Sequence, residues 1–370
     1  MPFELKIPPP WRSQGWKVKV RDRERVEPPH VTILHKTTAW RLELRGGEFL
    51  DREPDPGRVP TKLLTGFGRT QRSSGATGIV CIRKIRWRRG GQTARTMRAK
   101  RSEMSAGMST ELLSIEPKGQ ARATLLLINA IRLRIQQDVQ EAFTRLSQGV
   151  WVAASKQAIR LLLESLPHRP SHQDMRVLVL ESISAPNLNL LHAHFRFVAA
   201  RETGVKFLPS EELSGALEAP NRADLFIGGQ VTRPDLLLYR GNLEPLTVPR
   251  SWFRARGGGP KPDFNRFAVT DFGQTVRLGD YEAAADAILY EFDEEYRTRA
   301  KKRLREEDKS LGGAIRRLRL QKGLRQSDFP GISAKEIARI EKGLVKEPHA
   351  TTLSIIAERT GVSVDQIHTY

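Results

Sequence analysis

Two basic side chains near the C-terminus have the spacing of groups that act together. Lys335 and Arg339 are four residues apart, and Ser333, a favourable helix N-cap, comes just before them. Ile337 and Ile340 recur at helical spacing, which predicts a buried side and leaves the two cations outside. Such a pair can donate hydrogen bonds to an anion such as phosphate, although it is more often only a solvated surface.

The histidines offer two weaker hypotheses. His192 and His194 alternate along a predicted strand and would share a face, but their spacing implies no third metal ligand. We therefore predict no metal and no cofactor. His30 and His35 lie near Arg and Lys residues, the set that a metal-free ribonuclease needs. We expect no catalytic residue, and an enzyme within residues 1–63 is kept as an alternative.

Positive charge is concentrated in one stretch of the chain. The 370 residues carry 62 Lys+Arg and 42 Asp+Glu, a net charge of +20, which favours nucleic acid as a partner. Residues 64–102 hold 11 basic and no acidic residues and so supply more than half of that excess. Three interpretations stay open: a disordered basic linker, an arm whose Trp87 stacks on a base, or the product of a gene fusion.

The patterning predicts an α+β multidomain protein. Val31, Ile33, Trp40, Leu42 and Leu44 predict one face of short antiparallel strands. Ile128, Ile131, Ile135, Val139 and Phe143 predict one helix of about 25 residues. The expected order is a small β-rich module (1–63), a disordered basic linker (64–107), a helical segment (108–166), an α+β domain (167–296), a charged linker helix (297–310) and an all-α domain (311–370).

The last sixty residues predict five short helical segments. The stretches that carry this pattern are Ile315-Arg-Arg-Leu-Arg, Gly323-Leu-Arg-Gln, Gly331-Ile-Ser, Ile337-Ala-Arg-Ile-Glu-Lys-Gly and Thr352-Leu-Ser-Ile-Ile-Ala-Glu-Arg-Thr-Gly-Val. Together they resemble the Cro/CI-type (XRE-type) helix-turn-helix family of DNA-binding domains. Pro330 stands where the family usually has further helical residues, so we expect a shortened second helix.

This resemblance implies a mode of DNA binding. The third segment would lie in the major groove, where Lys335 and Arg339 would read guanine or hold phosphate and Ala334 would contact a thymine methyl. Arg319 and Glu341 would form an internal ion pair. The expected partners are double-stranded DNA and a second copy of the chain. The candidate DNA-binding residues are Gln326, Ser333, Ala334, Lys335, Ala338 and Arg339.

Two further regions resemble uncharacterised families. Residues 224–296 are similar to a domain of unknown function that is often joined to such a helix-turn-helix. Pro28-Pro-His-Val-Thr-Ile and the hairpin after it resemble a family that occurs near toxin–antitoxin-like gene pairs. If both hold, residues 1–63 and 108–370 are two normally separate partners.

We thus expect a transcriptional regulator that binds a specific DNA sequence. The alternatives are an antitoxin-type interaction protein that neutralises a protein partner, and a fused toxin–antitoxin-like pair with nucleic-acid-acting activity in the N-terminal module. One cysteine and the lack of a long apolar run predict a cytoplasmic protein that does not bind membranes.

Overall fold

The computed structural model describes residues 3–7, 9–21, 30–43, 48–51, 53–65, 111–118, 125–169, 174–202, 204–255, 259–308, 310–345 and 347–369. The chain divides into two compact units, residues 1–293 and residues 294–370. Most of the basic stretch 64–102 lies outside the described residues, so its three interpretations stay predictions. Helices and sheets are mixed, as an α+β multidomain chain requires.

The N-terminal module, residues 3–65, is built on an antiparallel sheet with the strand order β1-β2-β3-β4. Ile33 is paired with both Val18 and Trp40, and these apolar side chains form one buried face. The predicted alternation is confirmed for this hairpin, apart from Leu44, which lies outside the described residues. The elements are β1 (Phe3–Glu4), α1 (Pro9–Ser13), β2 (Trp16–Val20), β3 (His30–His35), β4 (Thr38–Glu43) and α2 (Thr61–Thr65).

Residues 111–200 form a five-stranded parallel sheet, which the sequence analysis did not foresee. The strand order is β6-β5-β7-β8-β9, an order found in doubly wound α/β folds. Helices α3, α4 and α5 contribute to the core that contains Leu113, Trp151 and Val177. The elements are β5 (Glu111–Ile115), β6 (Ile131–Leu133), α3 (Gln136–Arg145), β7 (Gln148–Ala153), α4 (Lys156–Glu164), β8 (Asp174–Val179), α5 (Ala185–His194) and β9 (Phe197–Ala200).

The predicted helical segment 108–166, with its helix of about 25 residues, is therefore wrong. Ile131 begins an edge strand, and both Ile128 and Ile131 are exposed, by 72% and 46%. Helix α3 begins only at Gln136, because the Asp138 carboxylate accepts hydrogen bonds from the backbone N–H groups of residues 134 and 135. The apolar spacing fits a helix, but this local cap and the strand pairing decide the structure.

Residues 205–293 form two antiparallel sheets with two helices. The first sheet contains, in spatial order, β10 (Val205–Phe207), β11 (Phe226–Val231), β12 (Asp235–Arg240) and β13 (Pro245–Pro249). The second sheet contains, in spatial order, β14 (Phe267–Thr270), β15 (Thr275–Leu278) and β16 (Tyr281–Ala284). The helices are α6 (Ser210–Glu218) and α7 (Ala285–Phe292). Residues 281–284 form a strand, so helix α7 begins only at Ala285.

The second unit is helical in the residues described. Its elements are α8 (Glu294–Glu307), α9 (Leu311–Gln321), α10 (Ala334–Glu341), α11 (Ala350–Thr360) and a 3-10 helix (Val364–Thr369). Ile315, Leu318, Ile337, Ile340 and Ile356 form its core. Helix α9 can lie very close to α10 because Gly312 has no side chain; a Cβ there would be 2.1 Å from the Ile340 carbonyl oxygen.

Candidate nucleic-acid interface

Helix α10 is short and well defined at its beginning. Ser333 is the N-cap, and its hydroxyl oxygen accepts a hydrogen bond of 3.1 Å from the Glu336 backbone N–H. Ile337 and Ile340 are fully buried on one side of the helix. This inward side fixes which residues of α10 face solvent.

The outward side of α10 carries most of the predicted DNA-binding residues. Ser333, Ala334, Lys335 and Arg339 are exposed, and Ala338 is half-buried. Lys335 and Arg339 form no side-chain hydrogen bond or ion pair with any residue that the structure describes. These two cations, one helical turn apart, are therefore available to donate to an external anion or base edge.

A buried polar cluster joins α10 to α9. The Arg319 guanidinium donates from Nε to Glu341 Oε1 at 2.5 Å and from Nη2 to Oε2 at 3.2 Å. Its Nη1 also donates to the Leu324 carbonyl oxygen at 2.7 Å. The Gln326 amide donates to Glu341 Oε2 at 2.7 Å. The predicted Arg319–Glu341 ion pair is confirmed, and it fixes the last turn of α10 to the preceding helix.

The segment between α9 and α10 contains no helix. Residues 322–332 form turns, so the expectation of a shortened second helix beginning at Gln326 is wrong. Pro330 lacks a backbone N–H and disfavours helical geometry at Phe329, and Gly331 adopts a φ of +78°. Gln326 accordingly lies in a turn, and one N–H of its amide donates to Glu341. Its predicted contact with DNA stays a prediction.

The turns are held in place by burial and by α11. Phe329 and Ile332 are buried in the core of the unit. The Arg359 guanidinium of α11 donates to the Asp328 carbonyl oxygen at 2.9 Å. Burial and this hydrogen bond therefore hold the turns that lead into α10, although these turns are not helical.

Comparison with known proteins addresses this same region. Residues 315–367 match the model of a helix-turn-helix family, of the Cro/CI (XRE) type. The C-terminal domain is a helix-turn-helix domain. No curated protein and no solved structure matches the chain. The resemblances noted for residues 224–296 and for the N-terminal module stay predictions.

One charged residue of the helix-turn-helix domain was missed in the sequence analysis. Glu336 is exposed in the first turn of α10, next to Lys335. An acid at this position is favourable for the helix dipole, but it would lie among phosphates if α10 entered a groove. The signal was present in the sequence, since Glu336 must face outward when Ile337 and Ile340 face inward.

The histidines do not assemble the sites considered for them. His192 and His194 lie in α5, so the predicted strand at that position is wrong; His194 is buried and His192 is exposed. His30 and His35 stand at opposite ends of β3 and, being five residues apart, on opposite faces of it. Among the described residues, no three His, Cys, Asp or Glu side chains group as a metal site would require.

A helix that spans a membrane must be both long and apolar. No helix in the described part of the chain has both the length and the hydropathy needed to cross a bilayer.

Proposed function

We propose that the chain is a transcriptional regulator that binds specific duplex DNA with its helix-turn-helix domain. The observation that carries the proposal is the outward placement of Lys335 and Arg339 on α10, a helix whose other side is fully buried. An α-helix fits the major groove of B-DNA, and its first residues reach the base edges.

Each exposed residue of α10 has a role that its chemistry supports. Lys335 and Arg339 donate hydrogen bonds to guanine or to phosphate, and Ala334 contacts a thymine methyl group. Ser333 caps the helix by accepting the Glu336 N–H, and the N–H groups of residues 334 and 335 are left to donate to a DNA phosphate. Gln326 stays in this set: one N–H of its amide donates to Glu341, and the second N–H is left to donate to a phosphate.

Two copies of the chain are proposed to bind together. Domains of this type read two half-sites about 34 Å apart, one turn of the double helix, and a palindromic site matches a two-fold dimer. The mass of the DNA complex by light scattering tests this part, with two chains per duplex expected.

Selection from random duplexes tests the whole proposal. The full chain is incubated with a pool of random-sequence DNA at about 0.15 M salt, and bound molecules are amplified and sequenced over several rounds. We expect one short motif to be enriched, in two inverted copies. Enrichment of no motif would contradict sequence-specific recognition, even if the protein retains DNA.

A further inference from the structure

The second face of the N-terminal sheet is basic and covered. Lys17 and Lys19 alternate with the core residues Trp16 and Val18 along β2 and so share the opposite face. Arg21 follows directly after β2 at the same spacing. Lys19 and Arg21 are buried, and Lys17 is half-buried. We call these three cations the basic face. A row of buried cations requires a partner, since an unpaired buried charge is very unfavourable.

The partner is the sheet β14–β16, which supplies two carboxylates. We call residues 267–284 the acidic sheet. Asp271 accepts from Lys17 Nζ at 2.8 Å through Oδ1 and from Lys19 Nζ at 2.7 Å through Oδ2. Glu282 lies 3.3 Å from Lys19 Nζ. One buried carboxylate thus bridges two ammonium groups, with a second carboxylate beside it.

Two further hydrogen bonds link the module to the acidic sheet. Arg21 Nη2 donates to the Thr275 hydroxyl at 3.0 Å. The Gln274 amide donates to the Lys36 carbonyl oxygen at 2.6 Å, at the turn between β3 and β4. Charged and neutral hydrogen bonds together fix one orientation of the module on the acidic sheet.

Contacts on its own side of the interface also position Asp271. Asp271 and Phe272 have φ values of +57° and +53°, left-handed backbone that favours glycine. The Phe272 N–H donates to Glu212 of α6 at 2.8 Å. The neighbouring helix therefore holds this strained turn, and strain held by surrounding structure is typical of residues placed for a function.

Each side of the interface also has its own hydrophobic core. The core of the N-terminal module is formed by residues 7–64. On the other side, Val269, Val276, Leu278 and Ala283 are buried within the acidic sheet's own domain. Charge-assisted and polar contacts lie between them, and the apolar side chain of Leu34, which is paired with Lys17 on the covered face, is buried there too. A mixture of polar and apolar contacts is typical of interfaces between separately folded parts.

We propose that the acidic sheet is a docking site for a separate small β-sheet protein with a basic face, of which residues 3–65 are a covalently joined example. The N-terminal module and the rest of the chain accordingly stay associated when the connection between them is cut. This proposal does not depend on DNA binding. It gives a physical form to the expectation that the two parts are partners joined in one chain.

Cleavage of the full chain tests the proposal. A protease recognition sequence is inserted between Ser74 and Gly75, the folded protein is cut, and the fragments are followed by size-exclusion chromatography over a dilution series. We expect co-elution at 0.15 M salt and separation as salt is raised, because screening weakens charge pairs. Separate elution of the parent fragments at 0.05 M salt and about 10 µM protein would overturn the proposal.

Two matched variants show whether the ion pairs hold the fragments. Asp271→Asn keeps the shape and tolerates positive φ, but it leaves Lys17 and Lys19 without their bridging charge. Asp280→Asn makes the same change in the same sheet on a side chain that is 80% exposed. We expect the dissociation constant to rise at least tenfold for Asp271→Asn and less than twofold for Asp280→Asn. Equal constants for the two would overturn the proposal.

Lys19→Met is a control for the case in which Asp271→Asn weakens binding only because it disturbs the fold around residue 271. It removes the charge from the other side of the same contact, and it should also raise the dissociation constant at least tenfold. The double variant with Asp271→Asn should weaken binding by less than the product of the two single effects, because the residues interact. Independent effects would show that Lys19 and Asp271 do not act through a shared contact, and this would overturn the proposed ion-pair docking.

Discussion

Arg319 of α9 and Glu341 of α10 form a buried ion pair with two hydrogen bonds, of 2.5 Å and 3.2 Å. Arg319 has a further bond to the Leu324 carbonyl, and Glu341 accepts one from Gln326. Every charged group of the pair is thus satisfied inside the helix-turn-helix domain. The pair fixes the orientation of α10, the helix that presents Lys335 and Arg339.

Breaking this pair should destabilise the helix-turn-helix domain. Arg319→Met leaves the Glu341 carboxylate buried without its cation, a change that costs about 3–5 kcal/mol in comparable pairs. Hydrogen exchange of the full chain measures this as lost protection in α9 and α10. The double variant Arg319→Met, Glu341→Leu should lose less protection than Arg319→Met alone, since no buried charge is left unpaired. Equal protection in the parent and Arg319→Met would contradict this account.

A single methyl group at Gly312 should have a comparable effect. Its Cβ would lie 2.1 Å from the Ile340 carbonyl oxygen, which is backbone and cannot turn away. Overpacking a core costs about 1–3 kcal/mol of stability. Gly312→Ala should therefore destabilise the domain by an amount near the upper end of that range. Lys322→Ala, an exposed change in the same domain, should stay within about 0.5 kcal/mol. Hydrogen exchange of the full chain compares the two variants. Equal losses of protection in Gly312→Ala and Lys322→Ala would show that α9 moves away from α10 at little cost.

Glu336 gives a prediction about affinity rather than stability. Its carboxylate is exposed beside Lys335, so it should repel phosphates. Glu336→Gln should strengthen binding to random-sequence duplex at low salt, and less so at 0.3 M salt, because screening shortens the range of the repulsion. Fluorescence anisotropy measures both.

Glu358→Gln is the control for that variant. It removes the same charge from an exposed position on α11. If the two variants bind random DNA equally well, the first turn of α10 does not lie against the DNA backbone.

The sequence predicted elements best where local signals agree. Around α10, the Ser333 cap, the buried isoleucines and the outward cations all follow from residues within one helix. Around Ile128 and Ile131, the same kind of spacing failed, because the pairing of β6 with β5 and the Asp138 cap override periodicity. The sequence pattern does not predict the basic face, for a different reason. Lys17 and Lys19 form only part of a charge run in sequence, and their partner Asp271 is more than 250 residues away.

The same Asp271 contact predicts a pH dependence. Burial raises the pKa of the Asp271 carboxyl, but the ammonium groups of Lys19 and Lys17 outweigh it and hold the pKa well below its usual value. For Lys17, burial lowers the pKa, but the carboxylates of Asp271, Glu212 and Glu4 together more than compensate, so the pKa is raised. Glu282 is a second carboxylate beside Lys19.

The sign of the effect follows from these two directions. A carboxyl with a lowered pKa stabilises the docked state above its ordinary pKa of about 3.9, and this is lost as the pH falls through the lower docked value. A lysine with a raised pKa stabilises the docked state at any pH below its ordinary pKa of about 10.4. This stabilisation is lost as the pH rises through the higher pKa of the docked state. Fragment association should thus be constant from about pH 5 to 9 and weaken below about pH 4.

Chromatography of the cleaved protein at constant ionic strength measures this profile. Asp271→Asn should bind more weakly throughout and show a smaller loss at acid pH, because the titrating group is gone. A parent profile that changes steeply between pH 6 and 8 would contradict the assignment, since neither Asp271 nor Lys17 titrates there.

Binding of Lys335→Ala and Arg339→Ala to the selected duplex tests the central claim most directly. Each variant of the full chain should lose about 1–3 kcal/mol, about 5- to 150-fold in affinity, and discriminate less between the selected and a scrambled duplex. Lys302→Ala, an exposed lysine on α8, should bind like the parent. If both α10 variants also bind the selected duplex like the parent, α10 does not read DNA.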